Sequence, residues 1–389
     1  MKVLHIASSH GGQSVAFNAD HYFAAANTAL VENSTEAHSQ ITYRKAGTIS
    51  NLRTYLSSNA TSGKAGSQLH LHINGSSQIS ITIPANSTGW FEATGTATVA
   101  DGDEVNTRFW NRSNNSNAVI HVISTVFDTG GPAVMRFGAI NFANGAQLSG
   151  RYPALSDNFA SMAGTTESAA QYTWPARGTF KNLQVNLSAN SGGSDDRLRK
   201  NGANGNLYVN TPTAGTGIFE DTSNADAVAD GDEVNFSHAQ GTSGASSVTV
   251  EVVSVEYHPS EVAVALVHGS TISVPGAASG FSYALPGGSG NAFPATNAGA
   301  LHLIHQARHL TRFFVNVTGN TVPGGGTAKG DVLVTGAQAS GSEIDFTPGG
   351  TGLFETNCDQ AYLSTDTMAF RWTATGGGES KGTGDLLAK

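Results

Sequence analysis

Short runs of alternating apolar and polar residues, broken about every ten positions by turns carrying Gly, Asn or Asp, cover most of the chain. Leu69-His-Leu-His-Ile-Asn74 alternates with period two, turns at Gly75-Ser76 and resumes as Ile79-Ser-Ile-Thr-Ile83, which predicts a hairpin. Val248-Thr-Val-Glu-Val-Val-Ser-Val-Glu-Tyr257 sets valines on one side against Thr249, Glu251 and Ser254 on the other. Val119–Phe127 reads as the matching strand upstream. The segment Glu36–Tyr43 reads as a strand leading into Gly47–Leu56, and the fold class this pattern predicts is all-β.

The strands fall into a repeat. Gly89-Trp-Phe-Glu92 and Ala100-Asp-Gly-Asp-Glu-Val-Asn106 return as Gly217-Ile-Phe-Glu220 and Ala229-Asp-Gly-Asp-Glu-Val-Asn235. A worn copy follows as Gly352-Leu-Phe-Glu355 and Thr365-Asp-Thr-Met368. Phe91 and Phe219 stand 128 residues apart, and Phe219 and Phe354 stand 135 apart. Gly47-Thr-Ile-Ser-Asn-Leu52 likewise recurs 131 residues on as Gly178-Thr-Phe-Lys-Asn-Leu183. The defining residues are Phe91, Glu92 and Asp103, then Phe219, Glu220 and Asp232, then Phe354 and Glu355. In each copy an aromatic-Glu step closes a strand, and an Asp-Gly turn reverses the chain, because Gly accepts positive φ and Asp bonds its own turn backbone.

Three modules follow, over residues 1–130, 131–259 and 260–376, with a Gly-rich tail at 377–389. The third lacks an evident alternating closing strand. A sheet left open there would accept a strand from another chain. The linkers Asp128–Pro132 and His258–Ser260 are short, which predicts little independent tumbling.

The order Gly-Thr-x-x-Asn-Leu, Phe-Glu, Gly-Asp-x-Val resembles a jelly-roll module and is similar to the C1q/TNF-like sandwiches. Gly47–Leu52 with Asp101–Val105, and Gly178–Leu183 with Asp230–Val234, also resemble modules of tailed-bacteriophage virion proteins, among them capsid decorations, fibres and tail fibres. The resemblance implies three tandem jelly-roll-like antiparallel β-sandwiches and a non-enzymatic, homo-oligomeric virion component, a trimer in many such proteins. Its partners would be copies of itself, other virion proteins of capsid or tail, and a host surface glycan if the fibre attaches to cells.

Composition narrows this further. Charged residues make up only 13% of the 389 positions and the formal net charge is −9, which argues against nucleic acid or an anionic membrane as partner. A single cysteine, Cys358, excludes an intrachain disulfide. The apolar run at Met1–Ala7 is too short for a signal peptide, and no stretch approaches the length of a membrane span. Assembly in a host cytoplasm and residence in a virion fit that profile.

Candidate chemistry is sparse, and no catalytic, cofactor or metal residues are predicted. His70-x-His72 could share a metal but has no third ligand in register, so both read as exposed sheet histidines. His302, His305 and His309 have ligand-like spacing only if helical, and they align with strands. The Asp101/Asp103/Glu104 and Asp230/Asp232/Glu233 runs lack the spread of oxygens that calcium requires and read as turns. Trp90 aligns with Ile218 and Leu353, which says core. Trp174, with Tyr172 beside it in an insertion-like loop, is the candidate ligand-facing aromatic. The Ser- and Gly-rich stretches 143–173 and 269–298 are the candidate contact loops.

Overall fold

The computed structural model of the chain describes all residues except 1, 60–65, 113–115, 145–152, 154, 156–166, 175, 241–246, 261–264, 269–271, 276–279, 285–287, 290–301, 304–307, 325, 364–365, 378 and 389. It divides into two compact units, residues 1–7 with 13–262 and residues 8–12 with 263–389.

The first unit holds two sandwiches. In the first, the principal strands are β1 (Lys2–Val15), β2 (Ala19–Ala24), β3 (Gly47–Asn59), β4 (Ser67–Ile73), β5 (Ser76–Ile83), β6 (Gly89–Val99), β7 (Glu104–Asn111) and β8 (Ala118–Asp128). They form two sheets, ordered β1-β8-β3-β6 and β2-β7-β4-β5. This is the order produced when a ribbon of nested antiparallel pairs, first with last and inward, is rolled up into two facing sheets. It is a jelly roll.

The second sandwich repeats it with β9 (Met135–Asn144), β10 (Tyr172–Thr173), β11 (Gly178–Asn190), β12 (Ser194–Lys200), β13 (Ala203–Thr211), β14 (Gly217–Val228), β15 (Glu233–Gln240) and β16 (Val248–Pro259). Its sheets run β9-β16-β11-β14 and β10-β15-β12-β13. Inward-facing residues alternate as the pleat requires: Leu52, Leu56, Leu69, Leu71, Ile81 and Phe109 fill the first core, and Phe180, Leu183, Val185, Leu198 and Phe236 are buried in the second.

The second unit is the third jelly roll, built from β17 (Ala265–His268), β18 (Gly280–Ala284), β19 (Arg308–Asn320), β20 (Ala328–Val334), β21 (Ala337–Gln338), β22 (Gly352–Tyr362), β23 (Thr367–Ala374) and β24 (Glu379–Ala388). Its sheets run β17-β24-β19-β22 and β18-β23-β20-β21. Phe313, Val315, Phe346, Phe370 and Trp372 fill its core, with Phe313 and Phe370 stacked at 5.6 Å.

Two expectations are corrected. The residues read as a Gly-rich tail form β24, which pairs with β19 from Leu310↔Ala388 to Asn320↔Ser380, so the third module closes with its own chain. The ladder needs only backbone donors and acceptors, and the low apolar content of Glu379–Gly384 concealed it. Glu36–Ser39 forms one helical turn, α1, where a strand was expected. Much of 143–173 and 269–298, and His305, lie outside the described residues.

The repeat words have geometric causes. A Cβ on Gly47 would lie 2.6 Å from the Phe127 ring, and one on Gly178 would lie 2.4 Å from the Tyr257 ring. Each glycine admits an aromatic near the end of its module's closing strand. The Asn of the same motif, Asn51 or Asn182, has positive φ (55° and 53°) at a bulge in β3 or β11, and this bulge re-aims the strand.

Candidate functional site at the junction of the first two modules

The densest polar constellation among the described residues is a seam where the first two sandwiches meet. The second module presents the outer face of its β9-β16-β11-β14 sheet. The first presents an elbow between β2 and β3, running through Asn27, Asn33, α1 and Tyr43-Arg44. Thr42 donates its amide to Gln184 Oε1 at 2.9 Å, and Asn186 Nδ2 donates to the Ala37 carbonyl at 2.7 Å. Asn33 Nδ2 donates to Glu251 Oε2 at 2.8 Å. The backbones also meet directly: the Asn27 amide donates to the Arg136 carbonyl at 3.0 Å, and the Gly138 amide donates to the Asn27 carbonyl at 3.2 Å.

At the centre Arg136 of β9 pairs with Glu256 of β16, both side chains only 2% exposed. Asn182 Nδ2 donates to the second Glu256 oxygen at 2.6 Å, and the Arg44 amide of the first module donates to the first at 3.1 Å. His258 Nε2 stands 3.4 Å from the carboxylate. Burial alone would raise the Glu256 carboxyl, but Arg136 and these hydrogen bonds outweigh it and hold the group at about 2.

The Arg136 guanidinium lies 5.2 Å from the centre of the Tyr43 ring in the first module. Tyr43 donates its hydroxyl proton to the Ala25 carbonyl at 2.7 Å, so at 3.0 Å His5 Nδ1 must be the donor to that oxygen. One ring proton of His5 therefore sits on Nδ1. Burial first, then the Arg136 charge, lowers the imidazole to about 3. At the rim Arg44 pairs with Glu220 of the second module and lies 3.5 Å from Asp101 of its own.

The repeat-defining residues sort into two roles. Asp103 accepts from the Ala100 amide at 2.7 Å and from Asn74 Nδ2 at 2.8 Å; Asp232 repeats this with the Ala229 amide and Asn201 Nδ2, each at 2.8 Å. The worn third copy keeps the clamp: Asp366 accepts from the Leu363 amide and from Thr335 Oγ1, both at 2.8 Å. The glutamates have different partners. Glu92 lies 3.8 Å from Arg53, Glu220 crosses the junction to Arg44, and Glu355 pairs with Arg312. Phe91 and Phe354 pack against the cores of their modules.

Trp174 and Tyr172 are not ligand-facing. Trp174 is fully buried, with its ring centre 4.7 Å from Tyr257, 4.8 Å from Phe180 and 5.3 Å from Phe137, and Tyr172 is buried beside it. The Trp174 amide donates to the Asp232 carbonyl as the Tyr43 amide donates to that of Asp103, so Trp174 is the second module's counterpart of Tyr43, plugging the end of its own sandwich. Trp90 is half-buried on an outer face, with Arg53 4.1 Å above its ring, and not in the core. His70 is half-buried and His72 is buried, its Nδ1 2.6 Å from Glu36 Oε1; α1 covers a face that the alternation read as solvent. No group of three or more metal-ligating side chains gathers among the described residues. Cys358 is buried, and burial pushes its thiol up to about 11.

Sequence reasoning missed Arg136–Glu256, since neither residue repeats in the other modules. It also missed a second staple: Asn59, Asn190 and Asn320 each donate Nδ2 at 3.0 Å to the carbonyl of Pro84, Pro212 or Thr347. Their spacings of 131 and 130 residues were the signal.

No helix among the described residues is long and apolar enough to cross a membrane, which says nothing of strands. No family model matches the chain, and no curated protein matches it in sequence. Among solved structures the chain is similar to one reported under "The Triple Jelly Roll Fold and Turret Assembly in an Archaeal Virus", at 10% identity and a TM-score of 0.18, over 97% of this chain and 90% of that one. A likeness of that size carries no functional weight.

Proposed function

We propose that the protein is a non-enzymatic virion structural component, a homo-oligomeric decoration, fibre or spike on the surface of a tailed-phage particle, with the trimer as its favoured state. The observation that carries this reading is the junction. Two jelly rolls are joined by a buried ion pair of the second module whose carboxylate accepts the Arg44 amide of the first, and by backbone-to-backbone bonds, the build of a stiff architectural block. The low charge of the chain suits a protein whose neighbours pack through neutral-polar faces.

Light scattering on the purified chain at several concentrations tests the assembly part. A mass near three times 40.0 kDa that does not change on dilution is expected. A monomer that also fails to bind empty particles contradicts the reading.

A receptor- or polysaccharide-binding fibre is the second reading. It loses Trp174 and Tyr172 but is favoured by half-buried Trp110, flanked by Arg112 at 4.3 Å and Arg108 at 5.8 Å on an outer face. Binding to a glycan array that is lost in Trp110→Ala would support it.

A further inference from the structure

The junction buries a histidine whose ordinary titration range is mild acidity. His5 of β1 faces the Tyr43 hydroxyl of its own module and, across the seam, Arg136 of β9 and Glu256 of β16; its remaining ring neighbour is Phe127 of β8. Its Nε2 has no hydrogen-bond partner. A second proton on the ring would therefore have no acceptor. It would also set a cation beside Arg136 in a site holding one carboxylate, and that carboxylate is already committed to Arg136, Asn182 and the Arg44 amide.

From this geometry we infer that the seam between the first two modules is an acid-operated release, in which His5 can be protonated only when the elbow lifts from the second module's sheet. The seam then opens more readily as the medium acidifies, while each sandwich stays folded. This holds whether or not the protein belongs to a particle.

The sign follows from linkage. Burial first, then Arg136, lowers the histidine of the closed seam from 6.5 to about 3, so its contribution is complete above pH 6.5 and is lost progressively as pH falls toward 3. The opening constant should rise on the order of 100-fold between pH 7 and pH 4.5. The other imidazoles at the seam are His258, 3.4 Å from Glu256, and His38, 3.8 Å from Glu251. Glu256 enters only below its ordinary 4.5.

Native-state amide exchange on the full chain tests this, read at single amides and corrected for intrinsic rates. The Thr42 and Arg44 amides donate across the seam, whereas the Glu104 amide, bound to Asn74 Oδ1, reports the first module alone. Protection at Thr42 and Arg44 should fall about 100-fold from pH 7 to 4.5, beginning below 6.5, with Glu104 unchanged. In His5→Phe that slope should vanish. A wild-type profile flat above pH 4.5, or parallel loss at Glu104, overturns the inference, as does a slope retained in His5→Phe. If His5→Phe does not fold, Glu256→Gln serves instead: it keeps His5 and must keep the slope below pH 6.5, and losing it would count against His5.

Discussion

Asn74 and Asn201 take φ of 52° and 51° at the first position of their hairpin turns, each followed by a glycine with positive φ, and Thr335 takes 50° before Gly336. Two successive positive φ values make the tight turn that matches strand twist. Asn adopts this region at small cost, but a β-branched residue there is strained, and a left-handed L-residue costs roughly 1–2 kcal/mol. Thr335→Asn should therefore raise stability by about 1 kcal/mol, because Asn relieves the backbone and can still donate to Asp366 as Asn74 and Asn201 do to their aspartates. Urea unfolding measures it; a loss of stability would mean that the Thr335 methyl contributes packing the turn needs. This turn also shows what sequence conveys at this scale. The sequence pattern set the first of these turns one residue late, at Gly75-Ser76, and the third copy was hidden because Thr-Gly is not a turn word, although its geometry is the same.

At the level of elements, the same core position is filled differently in successive modules. Leu69 of β4 faces Phe109 of β7 in the first, and the equivalent register of the second pairs Asp196 with His238, their oxygen and nitrogen 2.7 Å apart and both side chains buried. Ser194 Oγ donates to Asp196 at 2.8 Å. Such a pair recovers little of its desolvation, so Asp196→Leu with His238→Phe should stabilise by roughly 1–4 kcal/mol, whereas Asp196→Leu alone should destabilise. A double variant less stable than wild type would mean that the polar pair specifies the packing. The Arg136–Glu256 pair differs because, though both residues belong to the second module, its carboxylate accepts the Arg44 amide of the first. Glu256→Gln should cost about 3–5 kcal/mol, leaving Arg136 buried without its counter-charge. With pH, the Glu256 contribution of about 3 kcal/mol should be complete above 4.5 and disappear as pH falls toward 2, the window set by a carboxyl lowered between those values. Acid unfolding followed in wild type and Glu256→Gln reads the difference. The strands themselves were legible because alternation and turn residues are local. The junction was not, because Gln184, Glu220 and Glu256 resemble ordinary exposed residues until the elbow covers them. Trp174 was misplaced for a related reason: flanked by Thr and Pro, it looks like a loop residue, and only the clamp at Asp232 shows that it seals a core.

For the whole molecule, the repeat makes three jelly rolls from one plan, and differences among the copies mark where each meets its surroundings. The repeated glutamate shows it most clearly, since Glu220 leaves its own module for Arg44 while Glu92 and Glu355 stay within theirs. The proposed virion role, in which such a chain bears load within an assembly, is the central claim. The most direct measurement is peptide mass spectrometry on phage particles banded by density from lysed cells that encode the protein. The account predicts its peptides in the particle band, at a fixed ratio to the major capsid protein across independent preparations and retained after a high-salt wash. Peptides confined to the soluble fraction would contradict a virion role.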